Sequence, residues 1–200
     1  MAKLPIVFVH GNGDSSAVWN IQMERFKSAG YDSLHAVDLN PPGNESCIFY
    51  AEQVKEFVDK VIQQTGTAKI DIIAHSLAVT TVRHYLKFLG GAEKTNHVVL
   101  IAGGNHGLPA ADGAKAADPD GNLYKQGVEL NTFANPKFLE DLNNPEECFG
   151  DVKYMTISGP NDDFYVFYET SPQLNGADNR VLPGLGHFGL RDSEDSFNLS

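Results

Sequence analysis

The stretch K-I-D-I-I-A-H-S-L-A-V, Lys69 to Val79, limits the possible folds more than any other. An Ile-rich run suited to a buried strand stops at a serine. Helical spacing resumes at once and runs from Leu77 to Leu89, where Gly90-Gly91 ends it. A serine between a strand and a helix sits in a sharp turn that pushes its hydroxyl over the sheet edge. The two backbones converge there, so the residues two before and two after must be small. Ala74 and Ala78 occupy those places, each the next-smallest residue to the glycines of G-x-S-x-G. A serine that merely caps a helix would produce the same local pattern, so the rest of the chain has to separate the two.

Strand and helix signals alternate along the chain. Leu4 to Val9, Ser33 to Leu39, Ile70 to Ala74, His97 to Ala102, Val152 to Ser158 and Arg180 to Leu182 read as six strands. Helical spacing runs from Ala17 towards a stop at Gly30. It recurs at Ile48, Ala51, Val54, Phe57, Val58, Val61 and Ile62, with Asn44 or Ser46 near the start and Gly66 beyond the end. Phe138 to Leu142 adds a short helix. This order predicts a single α/β domain over residues 1–200, with a mostly parallel central sheet of about six strands and helices on both faces. Gly103 to Pro136 reads as a long irregular stretch, too polar for a packed lid, so no cap domain is expected. Only a small final helix fits after His187.

Composition excludes several roles. The formal net charge is -11 and the basic residues are scattered, which disfavours nucleic acid and anionic membrane surfaces. No apolar run approaches the roughly 20 residues of a membrane span. The start lacks the layout of a signal peptide, as in a cytoplasmic protein or a mature form behind a new Met. Cys47 and Cys148 are the two cysteines, and their places near opposite edges of the sheet predict that they do not pair. None of the seven histidines has H-E-x-x-H spacing to another, so neither a catalytic metal nor a cofactor is expected.

Ligands of parallel sheets sit at the carboxyl ends of the strands, which directs attention to the residues just after them. After the fifth strand come Ser158-Gly159-Pro160-Asn161-Asp162-Asp163, a tight turn with two carboxylates. After the sixth come Gly184-Leu185-Gly186-His187-Phe188-Gly189, a histidine among glycines. Ser, then Asp, then His is the chain order in which an activated serine and its partners occur in such folds. The first strand ends in His10-Gly11-Asn12-Gly13-Asp14, where backbone can approach a ligand closely. The N–H groups of Asn12 and Leu77 are the candidates for stabilising an oxyanion.

With these residues in view, the chain resembles the α/β-hydrolase superfamily. Within it, the chain is similar to the small lidless bacterial lipases of the class 2 group and to some extracellular polyester depolymerases. The resemblance rests on P-I-V-F-V-H-G-N-G, K-I-D-I-I-A-H-S-L, V-V-L-I-A-G-G-N-H-G and G-L-G-H-F-G-L, which together reach from Pro5 to Leu190. It implies Ser76 as nucleophile and His187 as base in a lipase or esterase that works through an acyl-enzyme. Spacing from Gly159 favours Asp162 as the acid, with Asp163 as the alternative. His10, Gly11, His75, His106, Leu108, Phe164, Leu185 and Phe188 are the expected pocket residues, and Tyr165, Phe167 and Tyr168 extend the aromatic run after the acid. The expected protein is a monomer, extracellular in its mature form or else cytoplasmic. Its substrate is a small-molecule or polymeric ester, although a ligand receptor with the same fold that does not turn over would carry the same residues.

Overall fold

Side chains alternate along β3 (Ile70–His75), and that strand therefore feeds two apolar layers. Ile70, Ile72 and Ala74 join one core, and Ile73 joins the other. The computed structural model describes residues 3–121, 125–130, 137–164 and 169–200, the side chains of 110, 114 and 115 apart. Around β3 stand β1 (Ile6–Val9), β2 (Leu34–Val37), β4 (Thr95–Ile101), β5 (Lys153–Ser158) and β6 (Asp178–Val181). They form one sheet in the order β2-β1-β3-β4-β5-β6. Every pairing is parallel, which makes the sheet wholly rather than mostly so.

One face packs against α2 (Cys47–Thr65) and α3 (Ala78–Phe88), through Val54, Val58 and Val61 from the first and Val82 and Leu86 from the second. Each such buried side chain contributes about 1.5–3 kcal/mol. α2 begins where Ser46 Oγ accepts the Phe49 N–H at 3.0 Å and ends at Gly66, whose φ of +69° is left-handed. The other face packs against α1 (Asn20–Ser28), where Phe8 meets Trp19 and Phe26 at ring distances of 5.3 and 5.8 Å.

Two expectations need correction. A four-residue helix, α4 (Gly91–Lys94), precedes β4, and the stretch after β4 is not irregular throughout: it contains α5 (Pro109–Ala117) and α6 (Lys125–Glu129). Tertiary contacts make up for their weak pattern, since Leu108, Ala111 and Leu130 pack with Cys47, Leu77 and Leu139, the last from α7 (Lys137–Asn143). The chain after the sixth strand also forms two short helices, α8 (His187–Asp192) and α9 (Glu194–Leu199), where one was expected. Both cysteines are free. Among the described residues, no helix is long and apolar enough to cross a membrane.

Candidate active site

Ser76 stands between β3 and α3 with φ +61°, a left-handed backbone that a side-chain-bearing residue adopts at a cost of about 1–2 kcal/mol. Its N–H donates to the Ile101 carbonyl at 2.9 Å, and this ties the turn to β4. Crowding explains the small neighbours. Ala74 and Ala78 are buried, and a Cβ on Gly11 would lie 2.8 Å from Ser76 Cβ and 3.2 Å from the His75 carbonyl oxygen. The turn forms although alanine replaces glycine at both flanking positions.

A hydrogen-bonded chain leads away from the serine. Ser76 Oγ lies 3.0 Å from His187 Nε2. On the other side of that ring, Nδ1 lies 3.0 and 2.9 Å from the two Asp162 carboxylate oxygens. A carboxylate accepts, so Nδ1 carries the hydrogen and Nε2 is free to take a proton from the serine hydroxyl. His187 and Asp162 are both buried. Asp162 also accepts the Phe164 N–H at 2.9 Å, whereas its neighbour Asp163 is exposed. Of the two carboxylates after β5, only Asp162 holds this ring nitrogen. The arrangement suits nucleophilic attack by an oxygen whose proton has somewhere to go.

A cavity of about 160 Å³ opens above Ser76. Of the expected pocket residues, Gly11, His75, Leu108, Phe164 and Phe188 line it, together with Asn12 and Leu77, the two oxyanion-hole candidates. Phe164 and Phe188 form an apolar rim, 46% and 53% exposed. Three expected pocket residues lie elsewhere. His10 sits behind the loop, donating from Nδ1 to the Gly11 carbonyl and accepting the Leu39 N–H at Nε2, so it shapes the wall without facing the cavity. His106 is turned away towards Glu147 Oε1, 2.7 Å from its Nε2, and the Thr170 carbonyl, 3.1 Å from its Nδ1. Leu185 packs into the core that contains Phe8 and Leu190. Tyr165, Phe167 and Tyr168 lie outside the described residues.

Sequence reasoning missed the Asp14 carboxylate in the cavity wall, paired at 3.3 Å with Arg191 Nη1. The available signal was Arg191 four places after His187, one helical turn along. A larger hollow of about 410 Å³ opens between Phe26, Val99 and Met155 near the amino halves of the strands, and Ser76 does not line it. Among the described residues, no group of three His, Cys, Asp or Glu side chains is arranged to hold a metal ion.

Over residues 3–171 the sequence matches the class 2 lipase family. The chain belongs to that family. Solved structures of similar fold include Bacillus licheniformis lipase BlEst2 in mature form, 21% identical over 99% of this chain and 90% of that one, with a TM-score of 0.76. Aspergillus fumigatus lipase B is 13% identical over 90% of this chain and 44% of that one, at 0.72. Carboxylesterase CesB of Bacillus subtilis is 16% identical over 98% and 81%, at 0.58. At these identities the likeness is one of fold. This class 2 lipase-family chain is thus a lipase- or esterase-type α/β hydrolase, and Ser76, Asp162 and His187 stand beyond the carboxyl ends of its strands.

Proposed function

We propose that the protein is a serine carboxylester hydrolase that works through an acyl-enzyme. The observation that carries this reading is His187, with Nε2 at 3.0 Å from Ser76 Oγ and Nδ1 held by both oxygens of Asp162. Ser76 Oγ attacks the ester carbonyl while His187 Nε2 takes its proton. The carbonyl oxygen becomes an oxyanion, which the N–H groups of Asn12 and Leu77 stabilise. Collapse expels the alcohol, protonated by His187, and leaves Ser76 acylated. Water, deprotonated by the same nitrogen, then releases the acid and restores the serine. Asp162 keeps the ring in the required tautomer and stabilises the imidazolium formed in each half-reaction. Leu108, Phe164 and Phe188 offer the acyl chain an apolar wall.

A burst assay with p-nitrophenyl esters tests the reading, with intact-mass detection of the acyl-enzyme. Wild type should give a burst and then sustained turnover, and Ser76→Ala should lower kcat about 10⁶-fold, because members of such a unit act together. Retention of turnover within about tenfold in the variant would refute the assignment. The exposed rings of Phe164 and Phe188 also favour a second substrate, an aliphatic polyester chain lying across an open site. Ser76-dependent clearing of a polyester film would distinguish it.

A further inference from the structure

We propose that His75 is a positioning residue for the base: it donates its Nε2–H to the His187 carbonyl and lays its ring against the His187 imidazole, which keeps that imidazole in line with Ser76. This inference rests on the hydrolase reading above. The middle residue before the serine would ordinarily count as the elbow's variable position. On this strand, however, alternation sends Ile70, Ile72 and Ala74 to the α2–α3 side and Ile73 and His75 to the other. α8 covers that second side through Leu190, and His187 is its first residue. The side chain at position 75 therefore lies against the base, at the inner wall of the cavity above Ser76.

His75 is 1% exposed, and its Nε2 lies 3.2 Å from the His187 carbonyl oxygen. The two imidazoles are 4.6 Å apart at an interplanar angle of 46°. Phe164, on the solvent side, is also 4.6 Å from the His187 ring. With Phe188 at 5.3 Å, the base is thus flanked by one buried ring and two exposed ones. A carbonyl only accepts, so His75 Nε2 carries the hydrogen and Nδ1 the lone pair, and Nδ1 is buried with no hydrogen-bond partner among the described residues. An unpaired buried acceptor costs stability that a phenylalanine of similar shape would not. A local rule broken in this way, in contact with the base, points to a functional gain elsewhere.

The protonation state fits the role. Burial above all, followed by the positive charges that His187 and Arg191 bring, holds the His75 imidazole well below its usual range. It therefore stays neutral and can donate to the carbonyl without placing a second cation beside the imidazolium formed on His187. The donated hydrogen bond fixes the peptide between His187 and Phe188, and the ring contact limits rotation of the base. Displacement of about 1 Å at a reacting group costs about 10²-fold in rate, so a modest loss of this support should be visible in kcat.

The test measures kcat and KM with p-nitrophenyl butyrate for wild type, Ser76→Ala, His75→Phe and His75→Gln, with thermal unfolding followed by circular dichroism. His75→Phe keeps a ring and loses the donor, and its kcat should fall about tenfold with KM within about twofold. His75→Gln restores an N–H and should return kcat to within about threefold of wild type. His75→Phe at wild-type kcat, an equal loss in both variants, or a loss confined to KM would overturn the proposal. So would failure of both variants to fold, which would make His75 a packing residue. Absent turnover in wild type, or turnover surviving in Ser76→Ala, would instead sink the hydrolase reading and with it the base that His75 serves.

Discussion

The elbow that carries Ser76 and the loop that carries Asp162 both lie at the carboxyl edge of the sheet, yet different forces hold them. Crowding fixes the elbow: Ser76 is left-handed at φ +61°, and a Cβ on Gly11 would lie 2.8 Å from Ser76 Cβ. Polar contacts fix the loop after β5. The Asp162 N–H donates to the Gly159 carbonyl at 3.2 Å, Asp162 accepts the Phe164 N–H, and Asn161 Oδ1 accepts the Gly184 N–H at 2.9 Å. Its close approach is at Gly159, where a Cβ would lie 2.5 Å from the Leu182 carbonyl oxygen. The first region should fail when atoms are added; the second shares that limit at Gly159 but should fail also when polar atoms are taken away.

After loss of the nucleophile itself, the largest effect belongs to the loop. Asp162→Asn keeps the shape and removes the charge that sets the His187 tautomer, so kcat should fall about 10⁴-fold. Asp163→Asn, at an exposed site, should stay within about twofold in the same assay, as surface substitutions generally do. Equal losses would break the assignment of the acid. Adding one methyl tests the elbow. Gly11→Ala cannot keep both its own position and that of Ser76. It should lower kcat about 10²-fold by displacing the nucleophile and destabilise the fold by about 1–3 kcal/mol through overpacking. Unchanged kcat and melting temperature would mean that the elbow has room, and the contrast with the loop would vanish.

Those two kinds of constraint also explain what the sequence disclosed. The elbow was legible because its requirements are local: a β-branched run, a serine, a helix and small residues at fixed offsets. Asp162 and His187 were legible because strand ends point at the site, and the strands themselves follow from period and length. The directions of side chains in longer loops were not. His106 follows β4 just as expected, but its partner Glu147 is 41 residues away, and no local pattern announces that pair. Leu185 precedes His187 by two places yet faces the core, because Gly184 turns the chain at φ +83°. α5 and α6 stayed hidden because Ala, Gly and Asp give them little periodic signal, and their contacts come from Cys47, Leu77 and Leu139 elsewhere in the chain. His75 was visible as a residue, but its role was hidden because α8 reaches it from 112 positions away.

Among the residues that hold the two regions, the smallest effect should come from Asn161, and it sharpens the contrast most finely. Its Oδ1 accepts the N–H of Gly184, the residue at which the chain turns towards His187, so one side chain links the acid loop to the base loop. Asn161→Ala removes that link without adding bulk. The bond lies at an exposed position, so water replaces the lost acceptor and the full cost of a buried orphan does not arise. A loss of about 0.5–1 kcal/mol is therefore expected, and for a chain of this size it should lower the melting temperature by about 1–4 °C. kcat should fall only about threefold, since Asp162 and the carbonyl of Gly159 remain in place. Asn161→Asp keeps an acceptor oxygen and should recover most of the melting temperature. If Asn161→Ala instead matched Gly11→Ala in kcat, the polar loop would position the base as stringently as crowding positions the nucleophile. The two halves of the site would then differ in chemistry but not in tolerance.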